Sequence, residues 1–357
     1  MFDVKHSQLQ NLMNEKQLDG VFIHSYENRR YFTGFTGSNG VYYYDGHEDY
    51  LWTDQRYTLQ ATEQAAFCTV EVANGPMDQF YASKLPERLK GRVGFESTEM
   101  SVSQFEGFKK MIPHVEWVPL QSEFLTIRAR KSKEELSVIK KSIQASDQAF
   151  KQLLKNIHIG MTELDVRNEL EYLMLKGGHE GPAFGTIVAF GERAALPHAV
   201  PTTRKLKENE YVLIDFGINY EGYMSDMTRT IAVGEIDNES SKVFELTLKA
   251  LESSIKAVRP GVTGSQLDAI ARDIFEEAGL EKYSLRGLGH GVGLQIHESP
   301  RIVQNGTDIV EEGMVFTIEP GIYIPNQVGV RIEDIVYVTE EGCDVLTTTP
   351  RRIELAI

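Results

Sequence analysis

The apolar residues of this chain follow two patterns, one in the first third and another in the remainder. In the first third, short apolar runs alternate with segments whose apolar residues recur at helical spacing. The runs lie at Gly20–His24, Val41–Tyr44, Leu51–Thr53 and Val93–Phe95, and the helical segments lie near residues 5–17, 55–66, 78–90 and 101–112. Strands that alternate with helices in this way are typical of an α/β layer. The pattern therefore predicts an α/β domain over residues 1–126.

A longer helical pattern opens the remaining part of the chain, residues 127–357. Its apolar residues have the spacing of one buried face of an amphipathic helix. They are Ile139, Ile143, Phe150, Leu153, Leu154 and Ile157. The basic stretch Arg128–Lys133 precedes this helix, and we expect it to be the linker between two domains. A length of 357 residues also suits two domains better than one.

The second domain carries one series of features twice. Each half has a long helix, near residues 133–157 and 241–258, then a Gly-x-Thr word that opens a second helix, then an apolar run that ends in an acid. The Gly-x-Thr words begin 101 residues apart, and the acids, Asp215 and Glu319, are 104 residues apart. The repeat predicts an internally duplicated α+β domain in which each half consists of two helices, a strand and a hairpin.

Each of these acids is followed by a second one, Asp226 after eleven residues and Glu333 after fourteen. Aspartates are common at turns, so Asp215 and Asp226 alone also fit an ordinary hairpin. Asp215, however, directly follows the apolar run YVLI, where a carboxylate is costly to bury without a partner. Because the second half repeats the arrangement with glutamates, we favour metal ligation by all four acids.

His290 lies among alternating glycines in GLGHGVG. Dinucleotide-binding loops instead carry G-x-G-x-x-G within a βαβ unit that has a trailing acid, so we reject a dinucleotide site. The glycines would let backbone and substrate approach the imidazole closely. One histidine and four carboxylates make a hard, oxygen-rich ligand set. Such a set suits two divalent ions that activate water for hydrolysis and suits a structural zinc poorly.

Composition and charge narrow the possible partners. With 41% hydrophobic and 25% charged residues, the chain has the composition of a soluble globular protein. A net charge of −15 disfavours nucleic acid and anionic membranes as partners. No apolar run approaches the roughly 20 residues that span a bilayer, and the first residues lack the apolar core of a signal peptide. Because Cys68 and Cys343 also show no disulfide or metal-binding spacing, we expect a cytoplasmic protein.

The words around these residues resemble those of the pita-bread metallopeptidases, the family of methionine aminopeptidase, aminopeptidase P and prolidase. All five candidate ligands match in order and context. The words LPHAVPTTRKL, SDMTRT, GHGVGLQIHESP, TIEPGIY and VRIED resemble the branch that cleaves before proline, and NRRYFTGFTGS and LWTDQRYTLQA resemble the creatinase-type N-terminal domain. The resemblance implies a creatinase-type domain over residues 1–126, a pita-bread catalytic domain over residues 127–357, and hydrolysis of Xaa-Pro bonds.

The resemblance also implies a site, a cofactor and an assembly. The metal ligands would be Asp215, Asp226, His290, Glu319 and Glu333. They would hold two divalent ions, and the oxygen-rich set favours manganese, with cobalt or zinc as substitutes. The catalytic residues would be His198, His297, Glu319 and Arg331, with both histidines near the tetrahedral oxyanion. The substrate would be a peptide with proline at its second position, and we expect a homodimer.

Three further side chains refine this expectation. Arg331 precedes Glu333 by two residues, so both would project from one face of a strand and the guanidinium would temper the clustered negative charge. By the same spacing, Thr228 would orient the carboxylate of Asp226. Several relatives carry a histidine four residues before the histidine ligand, near the proline pocket. This chain has Arg286 there, which leaves the nature of its substrate pocket open.

Two other functions use the same fold. A creatinase-like hydrolase works without metal, and some relatives are inactive binding proteins. Both typically lack the five ligands, and all five are present here. Within the Xaa-Pro branch, prolidase takes dipeptides and aminopeptidase P takes longer peptides. The words TGFTGS and TDQRY favour aminopeptidase P and the chain length suits either, so this choice stays open.

Overall fold

The computed structural model of the chain describes residues 2–356. They form two compact units, one ending at Ile127 and the other beginning at Arg128. Each unit is built around hydrophobic clusters of its own. No helix among these described residues is both long enough and apolar enough to cross a membrane.

The first unit is a sheet of six strands with helices packed against it. Its strands are β1 Gly20–Ile23, β2 Val41–Tyr44, β3 Asp49–Asp54, β4 Thr69–Ala73, β5 Arg92–Glu96 and β6 Glu116–Leu120, in the spatial order β4-β3-β2-β1-β5-β6. Its helices are α1 Phe2–Lys16, α2 Tyr26–Thr33, α3 Thr58–Gln64, α4 Met77–Arg88, α5 Val102–Met111 and α6 Glu123–Ala129. The predicted α/β layer is confirmed.

Four elements of the first unit, β4, β6, α2 and α6, are absent from the sequence-based prediction. Strands β4 and β6 lie at the two edges of the sheet and leave most of their residues partly exposed, so they lack a continuous apolar run. Helix α2 buries the polar residues Asn28 and Arg29, which interrupts its hydrophobic pattern. The guanidinium of Arg29 donates to the carbonyl groups of Gly37 and Gly40, so tertiary contacts compensate for its burial.

The expected linker is not a solvent-exposed connection. Arg128 and Lys131 are buried and both pair at 3.0 Å with the carboxylate of Glu298. An unpaired buried carboxylate is costly, and these two cations neutralise the charge of Glu298. Lys133 then begins helix α7 directly.

The second unit contains two sheets, two hairpins and four long helices. The helices are α7 Lys133–Leu153, α8 Glu163–Lys176, α9 Asn238–Ala257 and α10 Gly264–Glu277. The first sheet, in the order β19-β11-β8-β7, is made of β7 Ile187–Phe190, β8 Glu210–Phe216, β11 Met227–Val233 and β19 Glu354–Leu355; the hairpin β9 Asn219–Tyr220 and β10 Tyr223–Met224 joins β8 to β11. The second sheet, in the order β13-β12-β14-β17-β18, is made of β12 Gly289–Gly291, β13 Glu298–Ile302, β14 Val315–Ile318, β17 Asp334–Val338 and β18 Cys343–Val345; the hairpin β15 Gly321–Ile324 and β16 Val328–Arg331 joins β14 to β17.

The two halves of this unit repeat each other, as the sequence predicts. Thr162 caps α8 and Thr263 caps α10, each through a capping box in which the threonine oxygen accepts the backbone N–H three residues later. The same threonines form isolated bridges with Lys205 and Ile309, respectively. Each Gly-x-Thr motif thus has two roles. Its threonine caps a helix, and it also pairs with one extended segment.

Candidate metal centre

The duplicated topology places the four acids at equivalent ends of two antiparallel strand pairs. In the first half, Asp215 lies in β8 opposite Thr228, and Asp226 immediately precedes β11. In the second half, Glu319 immediately follows β14 and Glu333 immediately precedes β17. In each half a hairpin reverses the chain, so that the two strands pair side by side. The two acids of that half therefore lie at the same end of the strand pair.

These side chains converge as the metal interpretation requires. Ligand oxygens of Asp215, Asp226 and Glu333 all lie within 4.8 Å of one another, and all three residues are buried. The Nε2 atom of His290 lies 3.2 Å from Glu319 Oε1 and 3.7 Å from Asp226 Oδ2. Asp226 therefore belongs to the group of three carboxylates and also lies near His290, which contacts Glu319.

Two carboxylate oxygens in this cluster indicate that a cation would fit there. Asp215 Oδ1 and Glu333 Oε1 are buried, and neither has a hydrogen-bond partner within the described part of the chain. A buried carboxylate oxygen without a donor is costly, because the desolvation of its charge is not compensated. A divalent ion would supply that compensation. The donor set and its orphaned oxygens thus fit divalent metal.

The acid–base properties of the cluster reflect the same shortage of positive charge. Burial raises the pKa of Asp215, and it raises the pKa of Asp226 and Glu333 well above the ordinary carboxyl value, with further increases from neighbouring carboxylates. Burial also acts to raise the pKa of Glu319, but the hydrogen bond and charge of His290 outweigh it and hold that pKa below its usual value. The same contact outweighs desolvation at His290 and raises the imidazole pKa.

Arg331 lies beside these acids and ties several elements together. Its guanidinium donates to Asp215 Oδ2 at 2.5 Å, to the hydroxyl of Tyr323 at 2.6 Å and to the carbonyl of Pro197 at 3.2 Å. It also donates to Thr228 Oγ1 at 3.0 Å. Burial opposes the charged guanidinium, but Tyr323 and the acids outweigh it and raise the pKa of Arg331. Arg331 therefore contacts a candidate ligand, as expected, although it ends β16 and shares no continuous strand with Glu333.

The expected partner of Thr228 is wrong. Its hydroxyl donates to Glu333 Oε2 at 2.7 Å, across the two halves of the domain, rather than to Asp226. Asp226 lies before the start of β11, so the alternation of side chains along a regular strand does not apply to it. Thr228 therefore leaves only one oxygen of Glu333 without a donor.

A cavity of about 560 Å³ opens above the cluster. Asp215, Asp226, His290 and Glu319 line it, together with His198, His297 and Arg331. Glu333 is 1% exposed and lies beneath it. All the sequence-predicted site residues except Glu333 thus face one cavity.

His297 lies just outside the second sheet. It precedes β13, and its ring packs edge-on against His290 with centroids 4.3 Å apart. Burial and the proximity of His290 lower the pKa of His297, which favours the neutral imidazole.

Sequence reasoning missed three residues that line the cavity or support it: Tyr323, Arg301 and Glu163. Tyr323 lies in the motif GIYIP, and alternation along β15 could have indicated its direction. Its hydroxyl contacts Arg331 within the hairpin that β15 forms with β16. Arg301 lies in β13 and lines the cavity, but no sequence motif indicated a role for it. Glu163 does not line the cavity. Its carboxylate accepts hydrogen bonds from Phe190 and Thr202, which flank His198 in the sequence.

A duplicated α+β domain that gathers five such side chains, four of them lining one cavity, is the architecture of a pita-bread metallopeptidase. The chain belongs to this class: residues 137–340 match metallopeptidase family M24, and residues 5–130 match the creatinase/prolidase N-terminal domain. The family resemblance drawn from the sequence is therefore confirmed.

Similar proteins act on Xaa-Pro substrates, according to their names. The chain is 39% identical to the Xaa-Pro dipeptidase of Pyrococcus furiosus, covering 97% of this chain and 98% of that one. The structure of an Xaa-Pro dipeptidase from Bacillus anthracis has a TM-score of 0.95 at 36% identity, over 99% and 100% of the two chains. That of an X-Pro aminopeptidase from Thermotoga maritima has a TM-score of 0.88 at 35% identity, over 95% and 98%.

Proposed function

We propose that this metallopeptidase is an Xaa-Pro dipeptidase that uses two divalent ions. The observation that carries the proposal is the buried cluster of acids, with its orphaned oxygens, at the base of a cavity lined by histidines and arginines. The dipeptidases among the similar proteins support the substrate class. The proposal includes a catalytic domain over residues 127–357 and a cytoplasmic homodimer.

The ligands divide into three roles in this proposal. Asp215 would hold one ion, His290 and Glu319 would hold the other, and Asp226 and Glu333 would contribute to both. The position of Asp226 between Glu333 and His290 supports its bridging role. The oxygen-rich set favours manganese. When bound, the two ions would supply a strongly nucleophilic water near neutral pH and polarise the substrate carbonyl.

The chain's own residues would orient the substrate and move protons. His198 and His297 line the cavity and would donate hydrogen bonds to the carbonyl oxygen as negative charge develops on it. Glu319 has a lowered pKa, so it is ionised at neutral pH and can accept a proton from the attacking water. Glu319 would then pass that proton to the proline nitrogen, since an unprotonated amide anion is a very poor leaving group.

Two arginines favour dipeptides over longer peptides. Arg286 and Arg301 line the cavity, and neither guanidinium pairs with a carboxylate among residues 2–356. An unpaired cation in a substrate cavity is suited to bind an anion. In an Xaa-Pro dipeptide the proline carries a free carboxylate, whereas in a longer peptide this group is an amide. We therefore propose that these arginines bind the proline carboxylate.

Three substrates and two variants test this proposal. The manganese-loaded protein should hydrolyse alanyl-proline with at least tenfold higher kcat/KM than alanyl-prolinamide or alanyl-prolyl-alanine. Arg301→Gln and Arg286→Gln should each raise KM for alanyl-proline about tenfold, because a hydrogen bond to a charged group contributes about 1.5–3 kcal/mol. Hydrolysis of the amide should not change.

Lys282→Gln is the matched control, since Lys282 is an exposed cation outside the cavity that holds the cluster. A preference for the tripeptide, with no effect of the arginine variants, would favour an aminopeptidase P activity instead.

A further inference from the structure

The segment that carries His198 connects β7 to β8 and begins with a 3-10 turn over Gly191–Ala195. His198 itself is exposed, in a turn closed by a hydrogen bond from Ala199 N to Leu196 O at 3.1 Å. Val200, two residues further on, is 75% exposed. Ala199 beside it is buried, whereas the side chains of His198 and Val200 are exposed. The position of the imidazole therefore depends on how the backbone on either side of it is held.

One buried carboxylate holds the backbone on both sides of His198. Glu163 is the first residue of α8 and is fully buried. Its carboxylate accepts hydrogen bonds from Phe190 N at 3.0 Å, from Thr202 N at 2.8 Å and from Thr202 Oγ1 at 2.7 Å. It also accepts two bonds from Arg193 Nε, at 3.0 and 3.1 Å. The donors flank His198 in the sequence, with Phe190 and Arg193 before it and Thr202 after it. Hydrogen bonds to a charged acceptor are about twice as strong as neutral ones.

The contacts of Glu163 extend to the neighbours of His198. Arg193, held by Glu163, donates from Nη2 to the carbonyl of Val200 at 2.8 Å. On the other side of the turn, Arg331 donates to the carbonyl of Pro197. The backbone is therefore held within two residues of His198 on one side and at the adjacent residue on the other.

The second half of the domain shows that the architecture does not require this carboxylate. The residue equivalent to Glu163, directly after the capping threonine of α10, is Gly264. Its backbone N–H donates to Asp308 O, as the N–H of Glu163 donates to Arg204 O. A Cβ atom at Gly264 would lie only 2.2 Å from the carbonyl oxygen of Arg301, so this half has no room for a side chain. The carboxylate is thus specific to the half that carries His198.

We propose that Glu163 is a positioning residue that holds His198 where it can donate to the substrate carbonyl oxygen. The inference rests on the role proposed above for His198 in Xaa-Pro hydrolysis. In Glu163→Gln, an amide group would replace one of two acceptor oxygens that both face donors, so at least one buried donor loses its partner. A misplacement of about 1 Å costs roughly 100-fold in rate. We expect kcat to fall about 10- to 100-fold with KM nearly unchanged, because the bond acts mainly in the transition state.

A double-mutant cycle distinguishes positioning from a general structural effect. The Glu163→Gln, His198→Ala and combined variants of the full chain, loaded with manganese, are compared on alanyl-proline. If Glu163 acts through His198, Glu163→Gln lowers kcat in the wild-type background and has no further effect when His198 is already alanine. Metal content, measured by elemental analysis, stays at the wild-type value in all three.

A second readout requires no activity. Trypsin should cleave after Arg193 and Arg204 faster in metal-free Glu163→Gln than in the metal-free wild type, because the segment opens more often. Asp147→Asn is the matched control. Asp147 also accepts four hydrogen bonds, from the backbone and hydroxyl groups of Thr348 and Thr349, but the segment it holds does not line the cavity. This control should leave kcat and the tryptic rate unchanged.

Thr202→Val removes a single donor and provides a milder perturbation if Glu163→Gln folds poorly. It should lower kcat in the same direction by a smaller factor. Wild-type kcat in both variants, rate losses that multiply with that of His198→Ala, or an unchanged tryptic rate would each overturn the positioning role. If the wild-type protein itself fails to hydrolyse Xaa-Pro peptides, the proposed function fails, and the tryptic rate still decides whether Glu163 holds the segment.

Discussion

Substitution of Glu333 by glutamine should have opposite effects on the stability of the metal-free and the metal-loaded protein. Oxygens of Asp215, Asp226 and Glu333 lie within 4.8 Å of one another, and at an effective dielectric constant of about 20 two unit charges at that distance repel by about 3 kcal/mol. Partial protonation relieves some of this repulsion. We therefore expect metal-free Glu333→Gln to be about 1–3 kcal/mol more stable than the metal-free wild type at pH 8. The bond from Thr228 survives, because the amide oxygen can accept it.

The pH dependence of this gain has a defined sign. The pKa of Glu333 is raised in the folded chain, so between the unfolded value and the folded one the folded state binds more protons than the unfolded state. The stability of the metal-free wild type therefore falls as the pH rises through that window. The advantage of Glu333→Gln should consequently be larger at pH 8 than at pH 5.

In the metal-loaded protein the sign reverses. Glu333→Gln removes a side chain that we propose as a ligand of both ions. An ion that binds only the folded state stabilises it by about 2.7 kcal/mol at 100 times its dissociation constant. Urea unfolding of both proteins, with chelator and with saturating manganese, measures the effect. The manganese-induced gain should be large in wild type and mostly absent in the variant.

Glu135→Gln is the control for this experiment, because Glu135 is also buried but accepts from Tyr223 rather than lying in the cluster. It should change both states equally. A metal-free Glu333→Gln protein less stable than wild type by more than about 1 kcal/mol would refute the argument that unbalanced charge dominates this cluster. So would an undiminished manganese effect.

Three further outcomes are expected. His198→Ala should lower kcat on alanyl-proline by roughly two to four orders of magnitude with unchanged metal content; activity within a few-fold of wild type would make the residue structural. Lys131 and Arg128 outweigh burial and lower the pKa of Glu298, so this group's stabilisation is present above its unfolded pKa of about 4.5 and lost as the pH falls through the folded value. Glu298→Gln should therefore cost more stability at pH 6 than at pH 3 in urea unfolding, and an equal loss at both would contradict this assignment. Glu319→Asp should keep both ions but lose most turnover, because its shorter arm misplaces the proton acceptor; wild-type kcat would place the proton transfer elsewhere.

The sequence predicted those features that local pattern or repetition encodes. Thr162 and Thr263 cap equivalent helices. Asp215 lies near the end of β8, and Glu319 directly follows the equivalent strand β14. These matches arise because the two halves have the same local sequence pattern. The duplicated fold could be predicted for this reason. Burial of the strand that contains Asp215 also made a carboxylate there conspicuous.

Contacts between distant segments could not be predicted in the same way. The bond from Thr228 to Glu333 joins residues of different halves, and the pairing of Arg128 and Lys131 with Glu298 joins residues far apart in the chain. Spacing along a strand states which side a residue faces but not what lies opposite. The basic stretch that we expected to be a linker therefore gave no sign that two of its cations neutralise a buried acid.

The proposed hydrolysis before proline requires two ions that act together. Titration of the chelator-treated protein with manganese, followed by hydrolysis of alanyl-proline at each addition, measures this dependence. We predict no activity without metal, a rise with added manganese, and a plateau at two equivalents per chain. Full activity in the chelated protein, or a plateau at one equivalent, would contradict the dinuclear mechanism.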